Sequence, residues 1–125
     1  MAKILNRIEK ELKHKLEYLM TYNEVKFPIF LPVLNSRVEN YKDKTSTAYR
    51  NIHKSEYQKV LRASLSVAEV EKMLGVLGYK IIFKKGDTVI EPVKFELGYI
   101  KVKYTELMAV CELLGIDIEW VKDED

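Results

Sequence analysis

Ile4, Leu5, Ile8, Leu12, Leu16, Leu19 and Met20 recur at spacings of three and four. That period gathers them on one side of a 3.6-residue helix and predicts an amphipathic helix over residues 3–22, with lysines and glutamates outside. The stripe has two possible destinations. It can pack on the rest of the chain, or serve as a homodimer seam, since Leu5, Ile8, Leu12 and Leu19 also fall on heptad positions that Lys15 interrupts.

The pattern then breaks at "KFPIFLPVL", where Pro28 and Pro32 push the residues before them toward extended geometry. Phe27 to Phe30 is expected as an extended piece over the core, and Pro32 as the opening of a short helix through Val33, Leu34, Val38 and Tyr41. "NYKDKTST" reads as loop. "TAYRNIHKSEYQKVLRAS" carries enough helix formers for one helix or two short ones, with Ile52, Tyr57, Val60 and Leu61 facing inward.

From Ser66 the signals sharpen. Ser66 with Glu69 three residues later predicts a capping box, Val67, Val70, Met73, Leu74 and Leu77 supply a buried stripe, and Gly78 offers the left-handed conformation that ends a helix. Strands are predicted at Lys80–Lys85, Val89–Leu97, Tyr99–Lys103 and Ile116–Val121, with Pro92 marking an edge or interruption and Gly98 a hinge. Moving Ser66 onto Lys103, an offset of 37 residues, lays Glu69 on Glu106, Val70 on Leu107, Leu77 on Leu114, Gly78 on Gly115, Ile81 on Ile118 and Phe83 on Trp120. A unit of helix, glycine and strand occurs twice, by duplication or by shared helix-stop grammar. The expected fold class is α+β: a long N-terminal helix, central short helices, and the repeated unit around a small antiparallel sheet. The 125 residues suffice for one domain, with residues 1–22 as the first helix, 23–63 as the extended and basic helical segment and 64–125 as the α+β core.

Charge adds a second kind of information. The net charge of +2 is ordinary, but Arg37 to Arg62 holds seven Lys/Arg against three Asp/Glu, a local +4. Leu113 to Asp125 holds one Lys against five acids, a local −4. The first suits a polyanion; the second suits a solubilising end, mimicry of a nucleic-acid backbone or a basic protein partner.

Candidate chemistry is sparse. One Cys and two His, His14 and His53, distant in sequence, are not a zinc set, and the glycines at 75, 78, 86, 98 and 115 fit neither phosphate-binding spacing. Cys111 shares an apolar face with Leu107, Val110 and Leu114, so a buried structural thiol is expected rather than a nucleophile. Trp120 is assigned to the core by alternation, with a binding-site aromatic as the other reading. No catalytic group, metal or cofactor is assigned, and a non-enzymatic protein is expected. The start lacks secretory-signal features and the longest apolar run, Phe27 to Leu34, is too short for a membrane helix, so a cytoplasmic protein without a membrane partner is expected.

Around "HKSEYQKVLRASLSVAEVEKMLGVLG" the order of residue types resembles the second half of a Cro/C1-type helix-turn-helix domain, a family of phage and bacterial regulators, over about residues 46–82. The resemblance implies a turn near Asn51 and a recognition helix from about Lys54 to Arg62 entering the major groove of duplex DNA. Lys54, Ser55 and Gln58 would approach base edges, and Arg50, Lys59 and Arg62 phosphates. Glu56 is the residue in that helix that would repel a phosphate. The alternative is a protein-binding inhibitor or accessory factor, of anti-defence or anti-CRISPR-like type, using the acidic end and exposed surfaces.

Overall fold

The computed structural model describes the backbone of residues 2–90 and 102–123, and side chains from residue 6 onward within them. Helix α1 spans Ala2–Tyr22, as the periodicity predicts, and buries Ile8, Leu12, Leu16 and Leu19 within the chain's own interior. Leu12 is 0% exposed. The dimer seam is therefore corrected at Ile8, Leu12 and Leu19, whose apolar surface is already spent on intrachain packing; the side chain of Leu5 lies outside the described residues.

Phe27–Phe30 forms a 3-10 turn rather than an extended piece. Pro28 occupies its first turn, where the fixed proline φ suits a helix and no N–H is missed. Both phenylalanines point into the core. Helix α2 is only Leu31–Leu34, because Asn35 turns extended at φ −149°. Its side chain then accepts from the Arg37 N–H and caps a separate 3-10 turn, Ser36–Asn40. Helix α3 runs unbroken over Thr47–Leu61, and α4 over Val67–Val76 behind the predicted capping box. Ser66 Oγ accepts from Glu69 N at 3.1 Å while Ser66 N donates to Glu69 Oε1 at 3.1 Å.

Strand β1 (Tyr79–Lys85) lies between β2 (Thr88–Ile90) and β3 (Asp117–Lys122), all antiparallel, with α5 (Tyr104–Leu114) preceding β3. The register pairs Ile81 with Trp120 and Phe83 with Ile118. Tyr79, Ile81, Ile118 and Trp120 pack against the helical core, the alternation that two-residue periodicity demands. The predicted strand over Val89–Leu97 is seen only at its start. Its remainder, with Pro92, Gly98 and residues 99–101 of the Tyr99–Lys103 strand, lies outside the described residues; Lys103, at that strand's end, forms an isolated bridge.

The two helix-glycine-strand units meet in a symmetric way. Val67 N donates to Val102 O and Tyr104 N donates to Leu65 O, both at 2.9 Å, so the bridge pairs Ser66 with Lys103. Exchanging the units, with the donor moved forward and the acceptor back by the offset of 37, turns the first bond into the second. Antiparallel pairing of β1 with β3 is likewise unchanged by exchanging the units, as an approximate two-fold axis requires. Gly78 (φ +77°) and Gly115 (φ +70°) stand at equivalent points in the left-handed region.

Gly115 is the αL cap of α5, its N–H meeting the Cys111 and Glu112 carbonyls. Gly115→Ala meets no steric neighbour but must hold a positive φ, so we expect a loss of about 1 kcal/mol in urea denaturation, without change of fold.

Lys15, on α1, sends its ammonium to 4.3 Å from the Trp120 ring centre. Burial pushes its pKa below the ordinary 10.5, against the weaker upward pull of Glu11 and Glu119. Between its folded and unfolded pKa values the unfolded chain binds more protons, so this group makes stability rise with pH there. Lys15→Met keeps the side-chain length without the charge. The variant is expected to be more stable at pH 7 by about 0.5–1 kcal/mol, discounted for partial solvation. Thermal melts should show the advantage shrinking as pH approaches 10.5.

Candidate nucleic-acid interface

Helix α3 positions the six residues implied by the helix-turn-helix resemblance. Its Ser46 N-cap accepts from Tyr49 N at 3.2 Å, and Tyr49, Ile52, Glu56 and Val60 form the buried stripe. Tyr57 and Leu61, expected inward, are exposed by 37% and 50%, because the stripe that meets the core is centred on Ile52 and Glu56. Opposite that stripe, Arg50, Lys54, Ser55 and Arg62 are exposed and Gln58 is half-exposed. Arg50, Lys54, Gln58 and Arg62 succeed one another at spacings of four, a line roughly 18 Å long on the helix rise.

Lys59 departs from this set. Its Nζ lies 3.1 Å from Glu56 Oε2 and 3.1 Å from Glu69 Oε2, so its charge is paired with two carboxylates of the protein. Burial lowers its pKa, but hydrogen bonds and attraction from the two carboxylates outweigh burial and leave it raised. A phosphate contact here would have to compete with both carboxylates. The same contacts change the meaning of Glu56, which is buried, 5% exposed, and turned away from the cationic line. Lys59 compensates its charge from 3.1 Å. Among the residues of α3, Glu56 is the only carboxylate, so the outer face of this helix carries positive charge alone.

The turn implied near Asn51 is absent, since α3 passes through that residue without a break. The separate recognition helix from Lys54 is thus corrected to the second half of a fifteen-residue helix. Beyond α3 a short connection, in which Ala63 takes φ +52°, leads to the capped start of α4.

Beside the first turns of α3, a cleft of about 480 Å³ is lined by Pro28, Lys44, Tyr49, Arg50 and His53. The cleft is anchored by aromatic contacts: the Phe27 ring sits 5.6 Å from His53 and 5.0 Å from Tyr57, edge to face. Buried Phe27 thus fixes the pitch of α3 against the 3-10 turn. Lys44 and Arg50 bring two long cations to one concavity, an arrangement that suits a phosphate oxygen. Sequence reasoning misses Lys44 and His53 as neighbours of Arg50 because the loop that carries Lys44 has no periodic signal.

Cys111 is buried and burial raises its pKa, the reverse of what an activated thiolate needs. Among the described residues no group of three or more His, Cys, Asp or Glu could hold a metal ion. No helix of the described residues is long and apolar enough to cross a membrane. Trp120 packs on the core, as alternation predicts, while its ring also faces a groove between α1 and the sheet. Comparison with known protein families, with curated proteins and with solved structures finds no match to this chain.

Proposed function

We propose that this protein is a non-enzymatic regulator that binds duplex DNA through the exposed face of α3. The observation that carries the reading is the segregation of charge on that helix: Arg50, Lys54 and Arg62 lie outward, and the single carboxylate is buried and neutralised by Lys59. Arg50 and Arg62 then meet phosphates, with Lys44 extending the contact past the helix start. Lys54, Ser55 and Gln58 are in position to reach base edges, where Gln suits adenine. The contact is made by a helix face rather than by a helix-turn-helix.

Binding of the wild type to a random-sequence duplex, measured by fluorescence anisotropy across salt concentrations, tests this. We expect log Kd to rise linearly with log salt with a slope of about 2.7, roughly 0.9 for each of the three phosphate contacts. Absence of binding at low salt would remove the proposal.

A second reading, a protein partner, is favoured by α5. Val110, Leu113 and Leu114 are exposed by 52%, 78% and 55%, although the two-fold relation matches Met73 of α4, which is fully buried, to Val110. The sister helix is covered by α2 and the 3-10 turn before it. Of the acidic end, Asp123 reaches Lys80 at 3.7 Å, while residues 124 and 125 lie outside the described residues.

A further inference from the structure

Between α1 and the sheet lies a groove of about 390 Å³, within the roughly 300–1,000 Å³ of ordinary small-molecule sites. Tyr18 and Tyr22 form one wall, stacked with ring centres 6.0 Å apart and exposed by 70% and 67%. Tyr79 and Trp120 form the floor, and both rings are held from behind. Trp120 Nε1 donates to the buried Tyr104 hydroxyl at 2.8 Å, and Asn23 Nδ2 donates to the Tyr79 hydroxyl at 3.3 Å. A floor fixed in this way stays in place when a ligand arrives, and little ordering cost remains to offset binding.

The groove also contains an electrostatic deficit. Lys15 lines it, partly withdrawn from water, 4.3 Å from the Trp120 ring centre and attracted by Glu11 and Glu119 without a direct ion pair to either. Among the described residues no carboxylate comes within ion-pairing distance of its nitrogen. Lys122 stands over Tyr79 at 4.6 Å and donates to the Leu77 carbonyl, so its ammonium is already engaged. Exposed stacked rings want a flat partner; a desolvated ammonium wants one negative charge. Glu119, also in the lining, is paired with Lys84 at 3.4 Å, which softens its repulsion of one negative charge but leaves it set against a more highly charged ligand.

We propose that this groove binds a planar aromatic monoanion, an aromatic carboxylate, with its ring against Tyr18 and Tyr22 and its carboxylate on Lys15 Nζ. The site is separate from the cationic face of α3 and does not depend on DNA binding. Binding lifts the Lys15 ammonium from the Trp120 face, so the ligand reports itself through the only tryptophan in the chain.

The experiment is a titration of Trp120 fluorescence in the full chain with naphthalene-2-carboxylate, with 2-naphthalenemethanol as the uncharged ring and adenosine 5′-monophosphate as the more highly charged one. The acid is expected to give a saturable change with at least about tenfold lower Kd than the alcohol, a difference equivalent to ~1.4 kcal/mol. Lys15→Met should abolish that preference while leaving the alcohol's Kd within about twofold. Tyr22→Ala, at an exposed position that leaves the fold intact, should weaken both ligands. Equal affinity for acid and alcohol in the wild type, or no saturable change up to several millimolar acid, overturns the site. Adenosine 5′-monophosphate binding as tightly as the acid overturns the single-charge assignment.

Discussion

Replacing Arg50, Lys54 and Arg62 together by alanine is expected to lower affinity for duplex DNA by on the order of 10²–10³-fold near 0.1 M salt, and to flatten the log–log salt dependence by about 1.8. The size comes from three exposed cations on one line: Arg50 and Arg62 each release about 0.9 counterion on neutralising a phosphate, and Lys54 is lost from the base edges. Lys59→Ala should act differently. Because its ammonium is held by Glu56 and Glu69, its loss leaves the salt slope unchanged and costs stability, as the buried Glu56 carboxylate loses its compensating charge. Anisotropy titrations of both variants, with urea denaturation alongside, separate the two roles. A Lys59→Ala variant that loses DNA affinity at unchanged stability would mean that this lysine faces outward.

The largest stability effect is expected at Leu12→Asp. Leu12 is fully buried and belongs to the cluster that unites α1 with Phe30, Leu31, Val70, Met73 and Tyr104. A carboxylate there loses the leucine's transfer energy and must either be desolvated or take up a proton, at a cost of about 4 kcal/mol or more. Domains of this size are stable by about 5–15 kcal/mol, so most of the margin disappears. Circular dichroism in urea should show a sharply lowered midpoint or no cooperative transition. Leu113→Asp, at a site 78% exposed, should change stability by no more than about 0.5 kcal/mol. A Leu12→Asp protein with an unchanged midpoint and a smaller solution mass would restore the dimer seam.

How much of the fold is legible in the sequence depends on how local each feature is. The Ser66–Glu69 box, the αL glycine at Gly115, the β-branched run of β1 and the Ile118–Trp120 alternation of β3 depend on neighbours within a few residues, and all are present as expected. The 37-residue correspondence is legible too, but not that its two bridge hydrogen bonds exchange with one another, which is a relation in space. Short proline-rich pieces defeat pattern reading. Phe27–Phe30 and Leu31–Leu34 are too brief for periodicity, and proline fits both an extended segment and a first helical turn.

The candidate sites show the same division. The exposed line on α3 is a consequence of helical spacing, whereas the fate of Lys59 and Glu56 is not. A carboxylate is seldom buried unless paired, and one partner of Lys59 comes from α4, ten residues on, a neighbour the helical wheel of α3 cannot show. The heptad match of α1 is a further ambiguity of pattern alone, since an intrachain core and a dimer seam ask for the same residues. The aromatic groove joins residues of α1 to β1 and β3, and only the folded chain brings Lys15 to Trp120.

The central claim is that the outer face of α3 is the nucleic-acid interface. Amide chemical-shift mapping of the full chain during titration with a short duplex tests it directly. The account predicts salt-sensitive shifts concentrated at Arg50, Lys54, Ser55, Gln58 and Arg62 and in the adjoining Lys44 loop, with Val110 to Leu114 unmoved. Shifts confined to α5, or none at low salt, would contradict it.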